Sequence, residues 1–233
     1  MRIGLFGNCQ AGAIAQVLAE HLIDDEVISF KAIHTMNDKD KMDFLDNIKT
    51  LDILIHQPVS DVYAPVSTSR IIDIIGEDNS LIFPVMYFSP YFMDITYLKD
   101  TKGNTDRNFI SDYHSRTILS AFHYGLNKND IYNAFNSPSF FPKELIIKNC
   151  YDSLEILKNR EKACDINISD FINKNYQSKN LFYTFNHPTG NLLFYTINSL
   201  LKKLERNILP IDLKVKHSKL LGGGTLEEYG ECA

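Results

Sequence analysis

The chain has 233 residues, of which 44% are hydrophobic and 12% aromatic, and its formal net charge is −5 at pH 7. This length and composition predict a folded globular protein with one sizeable core. The acidic balance, with a pI near 5.8, argues against general nucleic-acid binding and against attachment to an anionic membrane surface. A small polyanionic ligand remains compatible, because local basic residues and helix N-termini bind phosphates even on an acidic protein.

The sequence shows no signal-peptide pattern and no apolar stretch of transmembrane length. Its cysteines are scattered, with neither disulfide-framework nor zinc-site spacing: Cys9, Cys150, Cys164 and Cys232. We therefore expect a cytoplasmic protein without a transmembrane segment and without a bound metal.

Apolar runs alternate with helical patterns in the N-terminal part of the chain. The apolar runs predict strands over residues 2–6, 27–33, 51–55 and 80–84, and the helical spacing predicts helices over 11–22, 37–49 and 67–75. Strands separated by helices at this rhythm indicate right-handed βαβ units in a parallel sheet. The predicted fold class is α/β, with a doubly wound and mostly parallel sheet.

The character of the sequence changes after Pro84. Residues 85–98 are aromatic and irregular, and residues 99–108 form a polar loop. Further helices are predicted over 110–124, 128–135, 142–162, 169–175 and 191–205, with a short strand over 181–185. We expect one domain with a helix-rich C-terminal half, divided into a βαβ half (1–98), a helical insertion (99–180), a His motif with the closing helix (181–205) and a tail (206–233).

Three polar clusters follow predicted strands: Gly7-Asn8-Cys9-Gln10, His56-Gln57 and Asn186-His187. Strand ends meet at one edge of a doubly wound sheet, so distant clusters are expected to form one site there. Cys9 also lies at a predicted helix N-terminus, where free N–H groups and the helix dipole lower the pKa of a thiol. A thiol and an imidazole brought together in this way form a nucleophile and its general base.

Neighbouring polar groups are candidates for stabilising a developing oxyanion. Asn8, Gln57 and the backbone N–H groups after Cys9 are hydrogen-bond donors at the predicted edge of the sheet. The sequence contains no phosphate-binding Gly-rich loop with a Lys-Ser/Thr sequel, no dinucleotide fingerprint and no paired-His zinc motif. Nucleotide triphosphatases, Rossmann dehydrogenases and zinc proteases therefore lose support.

Each of these residues also has a purely structural interpretation. Cys9 is then an inert small residue in a turn, and His56 caps the end of a strand. Gln10 bonds local backbone, and Asn186 with His187-Pro188 marks the start of the closing helix. The sequence leaves these alternatives open.

The motifs together resemble a known family. Gly7-Asn8-Cys9-Gln10 after the first strand, His56-Gln57-Pro58 after the third and Phe185-Asn186-His187-Pro188-Thr189 near the end resemble the WcbI-type capsule polysaccharide biosynthesis family over residues 2 to about 205. The resemblance implies a coenzyme A-binding acetyltransferase that acts on a sugar of a capsule, an exopolysaccharide or a lipopolysaccharide.

The arrangement is also similar to that of SGNH hydrolases, in which a Gly-Asp-Ser turn after the first strand supplies the nucleophile. Gly7-Asn8-Cys9 occupies the equivalent turn, and His187 would be the base. SGNH hydrolases place an acid three residues before this His, whereas the present chain has Thr184. The residue that would orient His187 is therefore unassigned, and a Cys–His pair is sufficient because a thiol ionises more readily than a hydroxyl.

The resulting hypothesis is an acyl-CoA-dependent O-acyltransferase in which Cys9 carries or positions the acyl group and His187 is the general base. Five residues are assigned to oxyanion stabilisation or substrate binding: Asn8, Gln10, His56, Gln57 and Asn186. Cofactor binding is assigned to Gly7, Gln10, Arg107 and Arg116, with Arg70 as a further candidate for the CoA pyrophosphate. Two alternatives remain, an SGNH-like esterase or deacetylase with water as acceptor and a non-catalytic module that binds CoA or a glycan.

Overall fold

The structure is a computed structural model that describes residues 1–103, 105, 112–137, 140–217 and 219–221. The chain forms two compact units. The first comprises Met1–Tyr87 and the described residues from Leu154 onward, and the second comprises Phe88–Ser153. In sequence, the second unit is thus an insertion into the first.

The elements follow one another in three groups along the chain. The N-terminal segment contains β1 (Arg2–Phe6), α1 (Cys9–His21), β2 (Glu26–Ser29), α2 (Asp38–Ile48), β3 (Ile53–His56), α3 (Thr68–Ile75) and β4 (Ser80–Ile82). The inserted segment contains β5 (Ile95–Tyr97), β6 (Tyr113–Ser115), α4 (Arg116–His123), α5 (Lys128–Phe135) and the start of α6 (Lys143–Glu161). The C-terminal segment adds α7 (Ser169–Asn175), β7 (Phe182–Thr184), β8 (His187–Pro188), α8 (Gly190–Lys203) and α9 (Ile211–Lys216).

A four-stranded sheet organises the first unit. Its order is β2-β1-β3-β4, and every neighbouring pair is parallel. This confirms the α/β prediction, since parallel neighbours require the helical crossovers that the spacing indicated. The carboxyl ends of β1 and β3 lie side by side, because Phe6 pairs with His56 in the register of the two strands.

Helices cover the sheet. Phe6 stacks on Phe44 of α2 with ring centroids 4.1 Å apart, in a cluster that also includes Ile71 of α3. Successive strand residues point to opposite faces, so Leu5 points away from this cluster. The buried stripe of α1, which includes Ile14 and Leu18, packs against β1, and α1 contacts α8. These contacts are those of a doubly wound arrangement.

The exposed edge of the sheet is covered by the segment after α6. Ile82 of β4 donates its backbone N–H to the Asp165 carboxylate at 2.6 Å, and the Asp165 N–H donates to the Ile82 carbonyl at 2.8 Å. This reciprocal pair occupies backbone groups that an edge strand otherwise presents to solvent.

Several predicted boundaries were wrong. The segment predicted as irregular over 85–98 contains β5, and α4 begins at Arg116, after β6, rather than at residue 110. Residues 110–111 lie outside the described part of the chain. The predicted tail contains α9. Three-residue strands and a six-residue helix contain too few residues to show a periodic pattern.

None of the helices in the described ranges is both long enough and apolar enough to span a bilayer.

Candidate active site

The turn between β1 and α1 presents Cys9 as predicted. Asn8 is the N-cap of α1, and its side-chain oxygen accepts a hydrogen bond from the Gln10 N–H at 2.9 Å. Cys9 is the first helical residue and is exposed. Gly7 is required by close packing, because a Cβ there would lie 2.5 Å from Gln57 Oε1. The helix begins two residues earlier than predicted, since the Asn8 cap replaces the missing intrahelical partner.

The environment of the Cys9 thiol differs from the expectation. Although Cys9 is exposed at the surface, the surrounding protein partly desolvates its thiol and raises its pKa. Hydrogen bonding to the backbone N–H groups of Gln10 and of Cys9 itself acts in the opposite direction and is outweighed. The predicted lowering of the Cys9 pKa is therefore wrong. A thiol with a raised pKa is protonated at neutral pH, so nucleophilic attack by Cys9 requires a general base.

Gln10 and Gln57 form a buried amide pair behind the Cys9 turn. Gln57 Nε2 donates to Gln10 Oε1 at 2.8 Å, and Gln57 Oε1 accepts from the Asn8 N–H at 2.9 Å. Gln10 Oε1 also accepts from the Met86 N–H at 3.0 Å, and Gln10 Nε2 donates to the Met86 and Asn186 carbonyls at 2.8 and 2.7 Å. All four hydrogen-bonding positions of the Gln10 amide are thus occupied, which leaves none for a ligand.

His56 is fully buried, and both of its ring nitrogens have partners. Nδ1 lies 2.9 Å from the Gln57 carbonyl and Nε2 lies 2.8 Å from Ser80 Oγ. Burial lowers the pKa of His56, although the Gln57 carbonyl and the Asp165 carboxylate act in the opposite direction. The assignment of His56 and Gln57 to a substrate pocket is therefore corrected, because burial and internal hydrogen bonds hold both side chains within the fold.

His187 reaches the site by a different route from the one predicted. β7 and β8 form a separate two-stranded antiparallel hairpin, in which Thr184 pairs with His187, so this motif does not end a strand of the parallel sheet. The hydrogen bond from Gln10 Nε2 to the Asn186 carbonyl brings the hairpin turn to the Cys9 turn. His187 is half-buried, and this burial lowers its pKa. Its imidazole is therefore neutral at pH 7, the form that accepts a proton.

The described residues contain no hydrogen bond between the Cys9 thiol and the His187 imidazole, and no carboxylate that orients His187. Thr184, which stands where SGNH hydrolases have an acid, donates instead to the Asn186 side-chain oxygen at 2.9 Å. The Asn8 side-chain amide donates to no described residue, so this group is available to a bound substrate.

Of the arginines predicted to bind a cofactor, the structure describes Arg70 and Arg116, which belong to different units. Arg70 is an exposed residue of α3. Arg116 belongs to the second unit, where it lines a mostly apolar cavity of about 400 Å³ with Met93, Tyr124 and Phe141 among others. Arg107 lies outside the described residues. Within the described residues, no group of three or more His, Cys, Asp or Glu side chains is arranged to hold a metal ion.

A cavity that the sequence did not indicate lies at the start of α8. It has a volume of about 540 Å³ and is lined by Asn180, Tyr183, Thr189, Gly190, Asn191, Phe194, Ile211 and Lys214. Thr189 follows directly after His187-Pro188. The Lys214 ammonium forms no ion pair with any residue that the structure describes. Lys214 was missed because its short helix, α9, was predicted to be part of the tail.

These features define a class: a parallel α/β protein with a thiol at the strand-to-helix turn after β1 and an imidazole on a hairpin bonded to that turn. The model of the family described as polysaccharide biosynthesis enzyme WcbI matches residues 2–208. The chain therefore belongs to this family of polysaccharide biosynthesis enzymes, as the sequence motifs predicted. No curated protein matches the chain.

A solved structure is similar to this fold, with a TM-score of 0.79 over 88% of this chain and 70% of its own length, at 23% sequence identity. It is described as WcbI, a novel polysaccharide biosynthesis enzyme, in the form of native protein without a disulfide bond between coenzyme A and one of its cysteines. This likeness independently supports the α/β fold.

Proposed function

We propose that this protein is an acyl-CoA-dependent O-acyltransferase, with acetyl as the transferred group and a sugar hydroxyl as the acceptor in surface-polysaccharide biosynthesis. The observation that carries the proposal is an exposed Cys9 at the N-terminus of α1, with the Asn186–His187 turn hydrogen-bonded to the neighbouring residue, Gln10. Family membership supports a role in polysaccharide biosynthesis. The description of a similar protein in terms of coenzyme A and a cysteine supports the choice of acyl donor.

The first half-reaction forms a thioester on Cys9. His187 takes the thiol proton, and Sγ attacks the carbonyl carbon of acyl-CoA. The oxyanion is stabilised by the Asn8 side-chain amide and by the Cys9 backbone N–H at the start of α1. The carbon–sulfur bond to CoA then breaks, and CoA leaves as a thiol with the proton from His187.

The second half-reaction transfers the acyl group. His187 takes the proton of the acceptor hydroxyl, whose oxygen attacks the thioester carbon, and Sγ leaves and recovers the proton. Because no hydrogen bond joins the Cys9 and His187 side chains, the mechanism requires them to approach when substrate binds. Catalytic hydrogen bonds often form only in the substrate complex.

The cavity at the start of α8 is the proposed site of the CoA phosphates. The first N–H groups of a helix and its dipole favour a phosphate, and Lys214 adds a positive charge that no described residue pairs. Tyr183 and Phe194 provide apolar surface in the same cavity. Arg107 and Arg116 remain candidates from the sequence alone for binding CoA.

The proposal is tested by following acetyl-CoA in the presence and absence of sugar acceptors. CoA release that depends on the acceptor, with an acetylated sugar as product, is the expected result. Release without an acceptor, with acetate as product, would instead establish a thioesterase activity, with water as the acceptor. A rise in melting temperature with CoA but no turnover with any acceptor would reduce the protein to a CoA-binding module.

A further inference from the structure

The Gln10 amide joins segments that are far apart in the sequence. Its partners Gln57, Met86 and Asn186 lie 47, 76 and 176 residues away along the sequence. Gln10 is also the residue that directly follows Cys9 in the chain. It is fully buried. A buried donor or acceptor left without a partner is costly, so each of these bonds resists movement of the segment it holds.

Only a carboxamide satisfies this arrangement. Gln10 uses two donors toward the Met86 and Asn186 carbonyls and two acceptor positions toward the Gln57 amide and the Met86 N–H. A carboxylate has no donor, and a methionine of similar length has neither donors nor strong acceptors. The bond to Asn186 holds the residue immediately before His187.

We infer that Gln10 is a positioning residue, which fixes the Cys9 turn and the Asn186–His187 turn in one arrangement. This inference rests on the proposed acyl transfer, in which Cys9 and His187 must exchange a proton. Gln57 supports the same arrangement, since it bonds both Gln10 and the Asn8 N–H. Gln10 acts through these contacts and not on the substrate.

The test uses the isosteric substitution Gln10→Glu. A protonated glutamic acid keeps one donor, whereas a carboxylate would face the Met86 and Asn186 carbonyls with none. Because burial raises the pKa of a carboxyl group, the two forms interconvert within a range accessible to kinetics. We expect the ratio of wild-type to variant kcat to grow by about tenfold between mildly acidic and mildly alkaline pH, while CoA affinity stays within about threefold.

Ser199→Ala is the matched control. Ser199 is half-buried, and its hydroxyl donates to the Tyr195 carbonyl within α8 at 2.9 Å, so its substitution leaves the partners of Gln10 in place. Its kcat ratio to wild type should not change with pH. If Gln10→Glu does not fold, the neutral variant Gln57→Met replaces it, with an expected kcat loss of about tenfold at unchanged CoA affinity.

Hydrogen–deuterium exchange of the peptide that covers residues 182–189 separates this inference from the proposed function. Faster exchange in folded Gln10→Glu at alkaline pH, corrected for intrinsic exchange, is expected even if wild-type protein transfers no acetyl group. In that case the proposed function fails, whereas the inference that Gln10 fixes the two turns is still supported. Unchanged kcat in the folded variant at alkaline pH, or unchanged exchange of this peptide, would overturn the inference.

Discussion

The end of β3 and the β7–β8 hairpin each present a histidine beside a polar amide, yet the two histidines have different environments. His56 is fully buried, with Ser80 and Gln57 on its two ring nitrogens. His187 is half-buried, and no hydrogen bond to its ring is found in the described part of the chain. The comparison teaches that a polar residue at the end of a strand is not by itself a site residue. Its burial and its hydrogen-bond partners decide whether its side chain is available for chemistry.

The difference has a simple topological cause. β3 lies between β1 and β4, so His56 at its end pairs with Phe6 on one side and Ile82 on the other. The β7–β8 hairpin is outside this sheet and is connected to the Cys9 turn through the Asn186 carbonyl. One histidine therefore stabilises the sheet, and the other is placed at its edge.

The largest effect is expected at Cys9. Cys9→Ala should lower acyl transfer by about 10³-fold or more, because the nucleophile is removed, while the melting temperature stays close to that of the wild type. Cys164→Ala is the matched control. The Cys164 thiol donates to the Arg160 carbonyl at 3.6 Å, and burial raises its pKa to about 12, so turnover should not change. Retained transfer in Cys9→Ala would mean that the acceptor attacks acyl-CoA directly.

His187→Asn should lower kcat by about 10²- to 10⁴-fold, the usual contribution of a general base. Because the His187 ring has no described partner, the free energy of unfolding should change little. Steady-state kinetics and chemical denaturation of the same preparation measure both quantities. A loss of stability without a change in kcat would mean that His187 has a structural role and is not the general base.

His56→Phe should have the opposite effect. It leaves the Gln57 carbonyl and the Ser80 hydroxyl without their partner, which costs on the order of 1–3 kcal/mol in unfolding free energy. The kcat of the folded fraction should remain near that of the wild type. His34→Phe, at an exposed position, is the control and should leave the denaturation midpoint unchanged.

The stability of the wild-type chain should fall with acidification. Burial lowers the pKa of both His56 and His187 in the folded chain, whereas in the unfolded chain both titrate near about 6.5. Below that pH the unfolded chain binds protons that the folded chain does not. The contribution of these two histidines to the free energy of unfolding is therefore fully present above pH about 6.5, and it decreases as pH falls toward the folded pKa values. Denaturation at several pH values should give a smaller slope for His56→Phe than for the wild type. Equal slopes would mean that the folded chain protonates His56 as readily as the unfolded chain does.

The smallest expected effect is on CoA affinity. Lys214→Ala should weaken binding by about tenfold, because a lost charge-assisted hydrogen bond costs on the order of 1.5 kcal/mol. Lys216→Ala is the control, since Lys216 is an exposed residue of the same helix that pairs with Glu20. Titration calorimetry measures both. Equal CoA affinities for the two variants would mean that the CoA phosphates do not bind in the cavity at the start of α8.

Much of the first unit could be predicted from the sequence. The helices α1, α2 and α3 are long enough to show the helical period, and each strand overlaps an apolar run of the sequence. The Gly7-Asn8-Cys9-Gln10 turn has a clear N-cap. The partners of Gln10 and His56 could not be predicted, because Met86 and Ser80 are ordinary loop or strand residues whose backbone and hydroxyl groups matter only after folding. The predicted direction of the Cys9 pKa shift was wrong for the same reason, because desolvation of the thiol depends on its tertiary neighbours.

The second unit was predicted less well. Its hairpin joins two three-residue strands, β5 and β6, that are separated by a long stretch of chain. No short-range turn signal marks such a pair. The α8 cavity also depends on α9, which the sequence pattern alone did not separate from the tail.

The central claim is that Cys9 carries the acyl group, and peptide-resolved mass spectrometry after exposure to acetyl-CoA without an acceptor tests it most directly. Wild-type protein and Cys164→Ala are expected to carry one acetyl group on the peptide that contains Cys9, and this adduct should disappear when a competent sugar acceptor is added. His187→Asn should acquire the adduct more slowly, and Cys9→Ala should not acquire it. An acetyl group on another residue, or acetyl transfer to a sugar while Cys9 stays unmodified at every time point, would contradict the account.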